Sequence, residues 1–171
     1  MTRRQRLRRV ALLCAHFVRN LAYYRAGGVG KKLKRKTEFW ITVNGNFYDF
    51  CVLEWCKLFA DPKDKHCWKK TVEDVEQFQT ELLNDLGMTE DAYEDYLKAM
   101  RKYRDKFVAH LDSDNRADLP HLDSAQKAVS VYYAHLLELD KQEGFLGTLP
   151  RSIEEYFARC TAAGTEVYGG P

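Results

Sequence analysis

An all-α fold is what this 171-residue sequence predicts: an up-and-down bundle of four long helices plus a short terminal helix. Three observations point there. Apolar residues recur at alternating steps of three and four, the spacing that gathers them on one face of a helix. Residues that cap helix starts stand before several of these stretches, and glycine or proline follows them. The length suits one domain with a real core, and no internal repeat divides it. A single domain over residues 1–171 is therefore expected, with a core of about 5–160 and a frayed Gly- and Ala-rich tail over 161–171.

Taken in order, the first helix is expected from about Thr2 to Arg25, with Leu7, Val10, Cys14, Phe17, Leu21 and Tyr24 on one stripe. Gly27, Gly28 and Gly30 stop it, and Lys31 to Lys36 make a basic loop. The next stretch is ambiguous. Phe39-Trp40-Ile41-Thr42-Val43 before Asn44-Gly45 reads locally as a β-hairpin, while Trp40, Val43, Phe47, Cys51, Trp55 and Leu58 fit a loose helical stripe. An isolated hairpin is marginally stable, so a helix is expected, distorted at Gly45 and ended by Asp61-Pro62. Thr71-Val72-Glu73-Asp74 starts a third helix with Val75, Phe78, Leu82 and Leu86 inward, and Gly87 ends it. Thr89-Glu90-Asp91 opens the fourth, which should reach about Leu111. Pro120 and Asp123 begin another, carrying Leu122, Ala125, Val129, Tyr132, Leu136 and Leu139 inward until Gly144. Pro150-Arg151-Ser152 starts a short last helix with Ile153, Phe157 and Cys160 inward.

Charge is unevenly spread. Residues 1–37 hold twelve Lys or Arg and no acid, while the rest of the chain carries a net charge of −10. Such a basic arm either binds phosphate backbones or anionic membrane, or lies against the acidic part of its own fold or of a partner subunit. The apolar run after Arg3–Arg9 is broken by His16, Arg19 and Asn20, which argues against a signal peptide. No stretch is long and apolar enough to span a membrane, so a cytoplasmic setting without membrane association is expected. The five cysteines, Cys14, Cys51, Cys56, Cys67 and Cys160, include no C-x-x-C and read as free core thiols. His66-Cys67 has no second pair at ligand spacing; no metal and no cofactor is expected. Ser-His-Asp, Walker-type and dinucleotide signatures are absent.

The fourth helix carries the chemistry. Leu97, Met100, Arg104 and Leu111 share one stripe, and Tyr93, Tyr96, Met100, Tyr103, Phe107 and His110 share its neighbour. Arg104 and His110 thus stand at the edges of a packing face. A buried arginine without a partner costs several kcal/mol, roughly, so an anion should meet it, either a carboxylate of this chain or a ligand phosphate. Glu54, near the second helix's apolar stripe, is the carboxylate suggested. Histidine is the natural acid or base near neutral pH. Together the two suit attack of an RNA 2′-hydroxyl on its phosphodiester, or they pair structurally at a helix end. Tyr132-Tyr133, His135 and Lys141 are secondary candidates, better read as core or groove lining.

The segment Arg104-Asp105-Lys106-Phe107-Val108-Ala109-His110, with five residues between the arginine and the histidine, resembles the R-x(4–6)-H signature of the HEPN superfamily. Its continuation to Leu111-Asp112 looks like the abortive-infection AbiU-like branch, as do Trp55-Cys56-Lys57-Leu58-Phe59 and Leu122-Asp123-Ser124-Ala125, so that the resemblance covers about residues 5–160. It implies a helical bundle, commonly a homodimer whose motif helices face each other, and a metal-independent endoribonuclease of toxin–antitoxin, phage-defence or RNA-processing type. Carried over, it implies Arg104 and His110 as catalytic and Asp105 as their positioning neighbour. The basic segment, with Lys31, Lys32, Lys34, Arg35 and Lys36 in its loop, is expected to contact RNA phosphates. Other HEPN proteins are inactive or pair with a nucleotidyltransferase. A non-catalytic dimerisation or interaction module, or the partner of an antitoxin or nucleotidyltransferase, is therefore the alternative.

Overall fold

The computed structural model describes residues 1–29, 32–109 and 119–170. Helix α1 spans Arg3–Ala26, and Thr2 caps it: its side chain accepts from the Gln5 amide while Gln5 bonds back to the Thr2 amide. Strands β1 (Gly28–Val29) and β2 (Lys32–Leu33) pair antiparallel, Gly28 opposite Leu33. The remaining helices are α2 (Glu38–Trp55), α3 (Val75–Leu86), α4 (Glu90–Tyr103), α5 (Leu122–Glu143) and α6 (Ile153–Gly169). The all-α expectation holds.

Helix α1 lies in the middle. It packs mainly on α2 and α6 and also on α5, while α3 rests on α5 and α4 on the carboxyl end of α2. The apolar stripe on α1 is accordingly wider than its three-four spacing suggests, because Ala11, Ala15, Val18 and Ala22 are buried beside Leu7, Val10, Cys14, Phe17 and Leu21. Burying each large apolar side chain contributes roughly 1.5–3 kcal/mol, far more than an exposed ion pair. All five cysteines are buried and free.

Four local expectations are revised. Residues 39–50 are helical as expected, but α2 continues unbroken through Gly45, and the irregularity falls later, at Cys56–Ala60, where the helix widens into a π turn. There the Asp61 amide reaches back five residues to the Cys56 carbonyl, at 2.9 Å, and Arg101 Nη1 donates to the Ala60 carbonyl at 3.0 Å. Asp74, not Thr71, caps α3, accepting from the Gln77 amide at 3.0 Å. Thr71 is buried instead, bonded to the Trp68 carbonyl and the Tyr132 hydroxyl. The α4 helix also changes pitch, continuing past Tyr103 as a π turn over Arg104–Ala109.

The fourth revision concerns the tail, which is helical to Gly169 rather than frayed. Tyr168 is buried and donates to Asn44 Oδ1 at 3.2 Å, a polar contact sealed between α6 and α2. Close approach makes this possible. A Cβ on Gly27 would lie 2.3 Å from Asn44 Oδ1 and 2.8 Å from the Tyr168 ring, and one on Gly164 would lie 2.8 Å from Ala26 Cβ.

These contacts separate two glycines. Gly27→Ala should lower stability by about 1–3 kcal/mol through overpacking, read by denaturant unfolding. Gly45→Ala, with nothing within 4 Å of the added Cβ, should raise stability by about 0.5–1 kcal/mol. Equal effects of the two substitutions would mean that α6 does not seat against Gly27.

Candidate functional site

Arg104 opens the π turn at the end of α4, against the widened end of α2. Its Nε donates to Asp105 Oδ1 at 2.7 Å. Arg104 is 22% exposed and Asp105 56% exposed, so the guanidinium is neither sealed in the core nor loose in solvent. The Asp105 bond raises the arginine pKa, against the opposing effect of burial, and keeps the charge fixed. One Nε bond engages one of the five guanidinium donors, and a bidentate fork toward a phosphate needs two others. A π turn widens the helix and turns side chains away from the packing register, which suits a group that must face a ligand.

Neighbouring groups hold this turn in place. Tyr103 is buried, donates to Asp49 Oδ1 at 2.8 Å, and meets the Tyr48 ring edge-on at 5.2 Å. Tyr48 donates to the Pro120 carbonyl at 2.6 Å, and Tyr96 to the His121 carbonyl at 2.7 Å. Residues 120–121 are thereby fastened to both α2 and α4. Sequence reading placed these tyrosines on apolar stripes and missed their hydroxyl partners, which lie far away in the chain. Arg101, one turn before Arg104, links Ala60 to α4 and pairs with Glu94 at 2.9 Å.

Of the expected site residues, the structure places Arg104 and Asp105 together. His110 and Lys31 lie outside the described residues. Lys32, Lys34 and Lys36 are exposed. Arg35 is turned toward the end of α6, donating to the Tyr168 and Gly170 carbonyls, with its guanidinium over the Trp40 ring. It acts there as a helix-end cation and not as an open phosphate contact. The basic loop and Arg104 thus sit against different elements.

Much of the basic arm is also used internally. Arg3 pairs with Glu143 and Glu73, Arg4 donates to the Gly144 carbonyl, and Arg8 to those of Phe145 and Leu146. Arg6 reaches the Lys70 carbonyl, and Arg25 holds Asp123 and Gln126. These cations hold both ends of α5 and the turn before α3.

Glu54 is not the partner of Arg104. It is buried on the α1 side of α2, where Asn20 Nδ2 donates to it at 3.2 Å and His16 Nδ1 stands 3.4 Å away. Burial pushes its carboxyl pKa up to about 7, against the lowering effects of Asn20, Lys57 and Arg19. Burial, together with Arg19, lowers that of His16. Both shifts work against the charged forms, and so against an ion pair between the two. Among the secondary candidates, Tyr132 and Tyr133 are buried core residues, and Lys141 pairs with Glu138 on the surface. His66 bonds Asp64 at 2.8 Å. Among the described residues, no group of three or more His, Cys, Asp or Glu side chains is placed to hold a metal ion.

A family model described as AbiU2, of the HEPN class, matches residues 6–121. No curated protein and no solved structure matches the chain. The matched span takes in α1 to α4 and the whole Arg104–His110 segment, and it stops before α5, short of the 5–160 expected from sequence. No helix among the described residues is long and apolar enough to cross a membrane.

The Glu54 cluster sets a pH dependence. Folding holds a proton on Glu54 that the unfolded chain, at the ordinary value of 4.5, gives up first. Its contribution to stability is therefore present below about pH 4.5 and lost as pH rises through about 7. The stability of wild type minus that of Glu54→Gln should fall between pH 5 and pH 8, by up to ~3 kcal/mol. A difference that stays flat across that range would show that Glu54 is ionised in the folded protein.

Proposed function

From the premise that the chain belongs to the AbiU2 family of HEPN domains, we propose that it is a metal-independent endoribonuclease acting through Arg104 and His110. The observation that carries this reading is the Arg104–Asp105 pair: a fixed, partly exposed guanidinium on a widened turn, not an arginine neutralised in the core. In the reaction, His110 takes the proton of an RNA 2′-hydroxyl. The 2′-oxygen forms a bond to the adjacent phosphorus, and the P–O5′ bond breaks. Arg104 stabilises the negative charge that accumulates on the phosphoryl oxygens. A protonated histidine returns the proton to the departing 5′-oxygen, giving a 2′,3′-cyclic phosphate and a 5′-hydroxyl. Asp105 is the positioning residue that holds the plane of the guanidinium.

Two chains would bring two such pairs to one composite groove, so the active species is a homodimer. A toxin or phage-defence setting, controlled by an antitoxin or a nucleotidyltransferase partner, fits that chemistry. Exposed Lys32, Lys34 and Lys36 are the cations of the basic loop best placed to meet RNA phosphates. A second reading, a non-catalytic interaction module, draws on the exposed apolar residues Phe39, Phe50 and Val167 on α2 and α6.

The test incubates purified protein with several RNAs in EDTA and identifies the fragment ends. Wild type should leave cyclic phosphate, and His110→Ala or Arg104→Ala should slow cutting about 10²- to 10⁴-fold. Cutting that survives His110→Ala removes that residue from the mechanism. A folded wild type that cuts none of the RNAs favours the module.

Phosphate contacts have a separate readout. Replacing Lys32, Lys34 and Lys36 with alanine should flatten the dependence of log RNA affinity on log salt by roughly 2 units. An unchanged slope places the RNA elsewhere.

A further inference from the structure

Helix α2 carries a second apolar stripe, apart from the one it buries on α1. Phe39, Val43, Phe47 and Phe50 stand four, four and three residues apart, which gathers them on one flank. Tyr48 and Asp49, on another flank, are taken up by α4. The second stripe meets α6 across a groove of about 170 Å³, with Trp40, Val43, Phe47 and Val167 in its lining. Tyr23 of α1 bridges the two walls, its ring 5.4 Å from that of Phe47 and against Gly164. Phe39 is 66% exposed, Phe50 52% and Val167 58%, so the α2 and α6 sides both keep uncovered apolar surface.

Shape narrows what can cover it. From Phe39 to Phe50 the stripe runs about 16 Å, the length of three helical turns. A third helix laid between α2 and α6 meets apolar side chains at successive turns, the recognition mode that uses anchors at i, i+3 or i+4, and i+7. Val43, Phe47 and Val167 carry no polar side-chain atoms, which suits aliphatic or aromatic anchors better than the polar edges of a nucleobase.

Charge narrows it further. The loop of residues 32–36 lies at one end of the groove, since Arg35 spans Trp40 at the start of α2 and the Tyr168 and Gly170 carbonyls at the end of α6. Lys32, Lys34 and Lys36 are exposed there, and among the described residues none of them is in an ion pair. Glu166 stands beside Val167 on α6, while Glu38 falls about 200° round α2 from Trp40, on the far flank. Three lysines against one rim carboxylate leave that end of the groove positive.

We infer that this groove seats an amphipathic helix of a partner protein, its apolar side between α2 and α6 and its acidic residues toward Lys32, Lys34 and Lys36. The groove and the Arg104 turn occupy different flanks of α2, so the docking holds with either reading of that turn. The same lysines are those set out for RNA. A docked acidic helix therefore displaces RNA from them, a consequence that rests on the endoribonuclease reading.

Selection of a phage-displayed library of random peptides, about 16 residues long, on the full-length protein tests the groove. The enriched peptides should share apolar residues at i, i+3 or i+4, and i+7, with Asp and Glu in excess. The leading peptide, synthesised and titrated by fluorescence anisotropy, should bind Val167→Glu and Phe39→Glu about tenfold more weakly or worse. Replacing Lys32, Lys34 and Lys36 with alanine should weaken it about tenfold at low salt. Val167 and Phe39 are both more than half exposed, so the glutamates are accommodated without unfolding, which thermal denaturation checks. No enrichment, enriched peptides without an acidic excess, or affinity unmoved in the folded variants overturns the assignment. So does a different occupant that Val167→Glu abolishes: phosphatidylglycerol vesicles, RNA, or a second copy of this chain seen by sedimentation. A peptide that docks and leaves RNA affinity unchanged keeps the groove and removes the competition.

Discussion

The structure depends on burying α1, a helix with seven arginines, on three sides. The apolar residues of α1 supply the driving force, and its arginines would oppose burial unless each found an acceptor. Among the described residues five of the seven do so, Arg6 at the Lys70 carbonyl and the other four at the ends of α5. Arg4 and Arg8 take carbonyls just past α5, Arg3 takes Glu143, and Arg25 takes Asp123 at the start of that helix. Both ends of α5 are thus tied to α1 by charge while the faces between them pack by shape. Asp140 completes this junction. Burial alone would raise its pKa, but the Leu146 amide and Arg151 hold it below the ordinary carboxylate range.

Once α1 is seated, the position of α4 follows from α2. The π turn at Cys56–Ala60 changes the direction of α2's last residues and exposes the Ala60 carbonyl, which Arg101 caps. A second π turn, at Arg104–Ala109, ends α4 against α2. Tyr103 closes the contact through Asp49, and Tyr48 and Tyr96 bring Pro120 and His121 onto the same surface. Arg104 therefore stands on a scaffold fixed from several directions, while its own side chain, among the described residues, is held by the adjacent Asp105. This arrangement serves a ligand-facing cation, because the backbone is rigid and the charge is not consumed by the core.

The matched family segment ends where α5 begins, yet α5 and α6 supply much of the cover of α1. The nucleic-acid reading concerns α1 to α4 and the loop beside α6. The seat of this cover depends on small residues, with Gly164 against Ala26 and Gly27 beneath the Asn44–Tyr168 contact. Phe39, Ile41 and Phe50 on α2 and Val167 on α6 stay exposed outside this packing.

Helix class, the starts at Thr2 and Thr89, and the stops at Gly87 and Gly144 were legible in the sequence, because capping and periodicity act within a few residues; the last helix starts at Ile153, capped by Ser152, and leaves Pro150 outside its first turn. So was the family, because its signature is a short contiguous segment. The partners of the charged groups were not legible. Glu54 was a plausible mate for Arg104 by residue type, but it meets Asn20 and His16 because α1, not α4, covers that side of α2. The basic arm read either as a phosphate contact or as packing on its own fold, and much of it closes the far end of the fold, at carbonyls more than a hundred residues away. Gly45 looked like the break in α2, whereas the break came where Arg101 from α4 could satisfy the Ala60 carbonyl. Local chemistry determined what each segment is. Which segments meet was decided by the burial of α1, since contacts between distant residues exist only after the helices have found their places.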